Sequence, residues 1–268
     1  MFEEPYRWVE AVGNRRQYLD EQFQQGSPVV ALSYADGILL LTVSRGTAKL
    51  YEIYDRIGLG GMGHPADLEK LRFNILEMAH VEGFNRSPSD VTGSRMVKYG
   101  LAPVIKQAFE EVYKAPFIVK ILLAELGTKA ERDAFITINY DGTFEESKGC
   151  AAIASTPAIQ ADVIGSLRNN DGLASASLGQ AADAALRAWA IGSLAQRMGK
   201  EDTEDPKDDP SPSSGSSPTP AAIDSHLRET LADKTIECAV LERSAPGSSK
   251  YRMLKTDEII KVLPASLK

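Results

Sequence analysis

Residues that could carry chemistry are few in this sequence and lie far apart. The three histidines, His64, His80 and His226, form no HExxH pair and have no carboxylates at ligand spacing, so the sequence predicts no metal site. It contains neither a GxGxxG nor a Walker-type phosphate loop. Cys150 and Cys238 form no CxxC pair, which favours buried thiols in a reducing compartment over a disulfide. We therefore expect no cofactor.

Composition excludes several classes of protein. The chain has 268 residues, 43% of them hydrophobic, which is enough for a sizeable core. A net charge of −7 without a cluster of Lys and Arg argues against a general nucleic-acid binder. The N-terminus lacks the features of a signal peptide, and the apolar runs are too short to span a bilayer. These features predict a soluble, cytoplasmic protein.

The elements that would position any site begin with an amphipathic helix over 6–24. Its apolar residues recur at spacings of three, four and seven and are Val9, Val12, Leu19 and Phe23. The opposite face carries Arg15, Arg16, Asp20 and Glu21. Pro28 ends this pattern, and the period then changes to that of a β-hairpin over 29–34 and 37–43. A second pair of strands is predicted over 48–54 and 56–62.

The rest of the chain alternates between groups of helices and groups of strands. Helices are predicted over 65–80, 94–113, 157–169 and 178–198, and strands over 117–127, 134–140 and 150–154. A terminal hairpin (236–242 and 250–254) and a helix over 256–262, capped by Thr256, complete the order. This segregation predicts an α+β fold in which two stacked antiparallel sheets carry helices on their outer faces.

One segment departs from globular composition. Residues 200–220 are rich in Asp, Glu, Pro and Ser and cannot bury apolar surface, so we expect a disordered acidic insertion. The charged tract Glu201 to Asp209 is interpreted as solvated, with a tether as the alternative. Because the residues after the insertion are too few for a core of their own, 1–268 is predicted to be one domain.

Three segments in this order resemble α-type proteasome subunits, particularly bacterial ones. They are VVALSYADGILLL, AKLYEIYDRIGLGGMG and RDAFITINYDGTFEESKGCAAIAS. The likeness runs from Tyr6 to Met198 and resumes at Ile236. It implies the four-layer αββα sandwich of N-terminal-nucleophile hydrolases, in agreement with the layers inferred above.

The resemblance also raises the question of catalysis. Catalytic β-type relatives use an N-terminal threonine whose amine acts as base, and Ser27, preceded by Gly26, occupies the matching position. A folded helix before it, Pro28 after it, and Val43 at the position of the family's catalytic aspartate all oppose that role. We therefore predict no catalytic residue and interpret Ser27 as a turn residue, with an autoprocessed Ser27 peptidase as the alternative.

The resemblance implies a docking and gating role instead. Lys49 matches a lysine that α-type relatives place in a pocket for the C-terminal carboxylate of an activating AAA ATPase, and Gly26 matches a glycine of the pocket wall. A lysine extending from a strand end is the simpler alternative for Lys49. Implied partners are β-type subunits, further copies in a ring of seven, and unfolded protein substrates. The expected gate, or alternatively a frayed terminus, is Met1, Phe2, Glu3, Glu4, Pro5 and Tyr6.

Overall fold

The computed structural model describes residues 5–111, 113–204 and 218–263. Its helices are α1 (Pro5–Phe23), α2 (Pro65–Asn85), α3 (Gly93–Arg95), α4 (Ala102–Glu110), α5 (Pro157–Arg168), α6 (Leu178–Glu204), α7 (Pro220–Leu231) and α8 (Thr256–Val262). Its strands are β1 (Val29–Tyr34), β2 (Gly37–Ser44), β3 (Leu50–Tyr54), β4 (Ile57–Gly63), β5 (Val119–Glu125), β6 (Ala134–Ile138), β7 (Phe144–Ser147), β8 (Cys150–Ile153), β9 (Thr235–Glu242) and β10 (Tyr251–Met253).

The strands form two five-stranded sheets. The first has the order β10-β9-β2-β1-β8 and the second the order β3-β4-β5-β6-β7, with antiparallel pairing at each junction. In the β1–β2 hairpin Tyr34 pairs with Gly37, so the two residues between them form the tight turn expected from the sequence.

The core confirms the four-layer sandwich. Ile38 and Leu40 of the first sheet pack with Leu122 and Ala124 of the second in one buried cluster between the sheets. Helices α5 and α6 cover the outer face of the first sheet, and α2 covers that of the second. Successive side chains of a strand point to opposite faces of the sheet, and here one face packs on the second sheet and the other on helices. Strands β1 and β2 are therefore buried along their whole length.

Helix α1 closes one end of the sandwich. Leu19 and Phe23 are fully buried there and Val12 packs against the same cluster, whereas Val9 is 64% exposed, so the predicted apolar stripe packs against the body except at Val9. The prediction for Arg15 is wrong. Its guanidinium is not directed to solvent but donates hydrogen bonds to the carbonyls of Ala108 (3.1 Å) and Phe109 (2.9 Å). These carbonyls lie at the end of α4 and lack partners within the helix.

The predicted gate needs one correction. Pro5 and Tyr6 are the first residues of α1 rather than part of a tail before it. Proline is favoured in the first turn of a helix because the N–H it lacks would have no partner there. Met1, Phe2, Glu3 and Glu4 lie outside the described residues.

The helix predicted over 94–113 is present as a continuous helical run from Gly93 to Glu110, and its middle part is π-helical. A 3₁₀ turn (Pro88–Asp90), α3 and a π-helical stretch (Met96–Leu101) precede α4. Pro103 explains the π-helical stretch, because proline lacks the N–H needed for a regular i→i−4 bond and its ring clashes with the carbonyl one turn earlier.

Other differences lie in the second half of the chain. Strand β7 and helix α7 were not predicted, and α6 continues to Glu204, so the first residues of the expected insertion are helical. Residues 205–217 lie outside the described residues. The N-cap of α8 is Lys255, not Thr256; its backbone N–H donates to the Glu258 carboxylate (2.9 Å).

Candidate functional site

A cavity of about 520 Å³ lies where α1 leads into β1. Its walls come from the α1–β1 junction, the β2–β3 loop, the first turn of α2, the middle of α6 and the second half of α7. We call it the junction cavity, and its lining includes Gly26, Ser27, Lys49, Arg197, His226 and Lys234. The structure thus brings together the three residues that the sequence singled out, with others that it did not.

The Ser27 hydroxyl is fully engaged in hydrogen bonds. It accepts from the indole N–H of Trp189 (2.9 Å) and lies 3.4 Å from the Thr42 hydroxyl. Since Thr42 donates its own proton to the carbonyl of Pro28 (2.7 Å), Ser27 is the donor to Thr42. The nearby Val43 side chain is buried in an apolar cluster. This geometry ties the start of β1 to β2 and α6.

Lys49 immediately precedes β3 and is half-buried. Its backbone N–H donates to the Glu237 carboxylate (2.8 Å), whose other oxygen accepts from the Ser44 hydroxyl. Within the residues that the structure describes, the Lys49 ammonium makes no hydrogen bond. Burial lowers the pKa of Lys49, an effect that Glu237 opposes and Lys234 strengthens.

Packing against Met62 explains why residue 26 is a glycine. A Cβ on this residue would lie 2.8 Å from both Cγ and Sδ of Met62, a fully buried side chain. The space that a side chain would need at Gly26 is therefore already taken by Met62. Leaving room for an incoming tail stays a prediction for this glycine.

Another wall of the cavity is built from α6 and α7. Trp189 stacks on the imidazole of His226, with ring centroids 6.2 Å apart. His226 Nε2 lies 2.9 Å from the Ser193 hydroxyl, and burial lowers the pKa of His226, with Arg197 adding to the effect. In the sequence His226 is one of three widely separated histidines, and nothing assigned it to a site. Without a prediction of α7, no signal placed that histidine beside the first strand.

A buried lysine outside the cavity was also missed. Lys120 on β5 is 5% exposed and donates to the carbonyls of Ala154 (2.9 Å) and Ser155 (2.7 Å). Its ammonium also lies over the rings of Phe23, at 4.9 Å, and Tyr140, at 5.9 Å. Burial lowers the pKa of Lys120 to about 8. This lysine joins β5, the end of β8 and the last residue of α1.

Comparison with known proteins identifies the family. The family described as "Proteasome subunit" matches residues 23–194, which include Gly26, Ser27 and Lys49. The chain belongs to the proteasome subunit family. The expected αββα fold is that of this family.

Several relatives of this proteasome-family chain are actinobacterial proteins named proteasome subunit alpha. That of Actinosynnema mirum is 28% identical over 244 residues, or 90% of this chain and 80% of the relative. That of Streptomyces scabiei is 27% identical over 262 residues, 96% of this chain and 90% of the relative. That of Streptosporangium roseum is 33% identical over 178 residues, 65% of each chain. The predicted resemblance to bacterial α-type subunits is confirmed.

Among the residues described for this proteasome-family chain, no three His, Cys, Asp or Glu side chains cluster as a metal site. His64 instead caps α2 by accepting from the Ala66 N–H (3.3 Å), and His80 packs edge-on against Tyr54. In the same part of the chain, no helix is long and apolar enough to cross a membrane.

Proposed function

We propose that this chain is a non-catalytic α-ring subunit of a cytoplasmic proteasome core particle, and that it docks a regulatory ATPase. A single observation carries the docking role: Lys49 and Gly26 line one cavity, and the Lys49 ammonium makes no hydrogen bond among the described residues. The chain would act as one domain, in a ring of seven copies stacked on β-type subunits, and admit unfolded proteins to the chamber.

The physical case for docking rests on the cost of a partly buried charge. An ammonium that is removed from water without a partner is unfavourable, and burial lowers the pKa of Lys49 for this reason. The terminal carboxylate of an ATPase tail would supply the missing acceptor and form a charge-assisted hydrogen bond. Burial of the tail carboxylate is likewise unfavourable unless a cation such as the Lys49 ammonium pairs with it.

Gating would fall to residues Met1–Tyr6, the last two of which begin α1. Helix α1 is held to the body by its buried end and by Arg15, which bonds the carbonyls at the end of α4. An anchored helix of this kind supports a gate at its N-terminus, because its base has a defined position. Removing residues 1–6 should then raise the entry of unfolded substrate, measured as proteolysis without activator in the assembled particle.

Hydrolysis by a processed Ser27 is the alternative. The engaged hydroxyl and the apolar Val43 weigh against it, as does the continuous turn from α1, in which the Gly26 N–H donates to the carbonyl of Phe23 (2.9 Å). Intact mass distinguishes the two, since processing would yield a chain that begins at Ser27. A self-assembling homologue without a β partner is a third reading. Native mass measurement with and without co-expressed β-type subunits separates it from the first.

The docking role is tested by Lys49→Glu in particles assembled with a β-type subunit. We expect rings of unchanged native mass in which ATPase-stimulated proteolysis of an unfolded substrate falls at least about tenfold, the effect of losing one charge-assisted bond. Lys98→Glu, at an exposed position that does not line the junction cavity, is the matched control and should retain stimulation. Full stimulation in the Lys49 variant would reject the assignment.

A further inference from the structure

The proposed docking function assigns no role to the cavity wall formed by α6 and α7. Arg197 lies on α6, His226 on α7, and Lys234 between α7 and β9, and all three line the junction cavity. They also lie beyond residues 23–194, the part matched by the family. We call these three residues the α6–α7 wall.

Positive groups continue from Lys49 along this wall. Lys234 is close enough to Lys49 and to His226 to influence the protonation of both, and Arg197 acts on His226. None of the described residues that line the cavity is acidic. Glu229 pairs with Arg197 (3.1 Å) in a solvent-exposed ion pair. Such exposed pairs are weak, so an anionic ligand can replace that partner.

The wall also has unused hydrogen-bonding capacity. His226 is only 8% exposed, and its Nδ1 has no partner among the described residues; the same holds for Nε2 of Gln196, a second residue of the cavity lining. Buried polar groups are normally hydrogen-bonded. In the tautomer whose Nε2 accepts from the Ser193 hydroxyl, the His226 proton is on Nδ1. Together with Gln196 Nε2 and the cations, this N–H can then donate to a ligand that carries negative oxygen atoms.

We propose that the α6–α7 wall binds an acidic side chain of the docking tail, a few residues before the terminal carboxylate held at Lys49. The inference rests on the proposed docking function, because it presumes a peptide in the cavity. A peptide tail is favoured over a small anion because the positive groups extend from Lys49 to Arg197 along an open cavity of about 520 Å³. The wall would therefore select partners whose tails carry two carboxylates.

The test uses the full-length assembled chain and fluorescein-labelled decapeptides in an anisotropy titration. One set has a free C-terminus and Glu at one of the second to fifth positions from the end; the matched set has Gln there. A third peptide has Glu and an amidated C-terminus. We expect Glu at one or two adjacent positions to bind about 10-fold more tightly than Gln. Amidation should weaken binding of the Glu peptide.

Variants assign this preference to the wall. The double variant Arg197→Gln and Lys234→Gln should bind Glu and Gln peptides alike, whereas Lys49→Gln should weaken both. Arg86→Gln is the matched control, since α2 places this cation about 30 Å from the cavity end of that helix. It should keep the 10-fold preference.

Three results would overturn the inference, and one of them would also reject the proposed docking function. Equal binding of Glu and Gln peptides by the parent chain removes the acidic subsite but leaves docking at Lys49 intact. No binding by any free-carboxylate peptide rejects the proposed docking as well. Inorganic phosphate could displace the Glu and Gln peptides equally well, at concentrations where phosphate itself binds the wall. That result would show that the wall is a site for small anions and not for an acidic side chain.

Discussion

The buried Lys120 makes the stability of this protein depend on pH in a calculable way. The group lies among two carbonyls and two aromatic rings, and no carboxylate is among these contacts. A neutral amine has two N–H donors, so it can keep both carbonyl bonds after losing its proton. Replacing Lys120 with methionine keeps the length of the side chain but removes the titrating group.

The magnitude follows from the pKa of Lys120, which burial lowers from 10.5 to about 8 although Asp20 and Asp141 oppose this. Between these two pH values the unfolded chain binds more protons than the folded one, so stability rises with pH. Each tenfold change in protonation corresponds to about 1.4 kcal/mol, which gives a limit of about 3 kcal/mol. Between pH 7.5 and 10 the expected gain is about 2 kcal/mol.

The assay is guanidinium unfolding of the parent chain and of Lys120→Met at pH 7.5 and pH 10. The variant loses two hydrogen bonds at either pH, so its absolute stability is not the readout. The difference in unfolding free energy, parent minus variant, should grow by about 2 kcal/mol toward pH 10. Lys98→Met should show no such growth. A parent–variant difference that stays constant between the two pH values would refute the reasoning, because Lys120 would then titrate as it does in water.

Two further predictions concern packing and charge. Gly26→Ala should lower the free energy of unfolding by about 1 kcal/mol because its Cβ meets Met62. Met62→Ala should relieve the clash, so that the two substitutions are less costly together than the sum of their separate effects. Strictly additive effects in this double-mutant cycle would contradict the prediction. Asp133→Ala should cost about 3 kcal/mol in thermal unfolding, since it leaves the partly buried Arg243 without its carboxylate. A loss under about 0.5 kcal/mol would show that this pair contributes little.

The sequence by itself determined the layers of this fold. The change from a helical to a strand period after Pro28, and the tight turn before Gly37, are local signals that depend on residues close along the chain. The bounds of β1 accordingly agree with the prediction, and the strand pairs fall where alternation placed them. The family resemblance, carried by three short segments, was likewise readable from the chain alone and is confirmed.

Tertiary structure alone decided which side chains meet. Arg15 was assigned to the wet face because a helix pattern does not reveal that the end of α4 lies beside it. The sequence does not distinguish Lys120 from other lysines in strands, because its burial depends on partners from distant segments of the chain. Likewise, Trp189 bonds Ser27 from 162 positions away. Such contacts depend on how layers pack, and local periodicity carries no information about that packing.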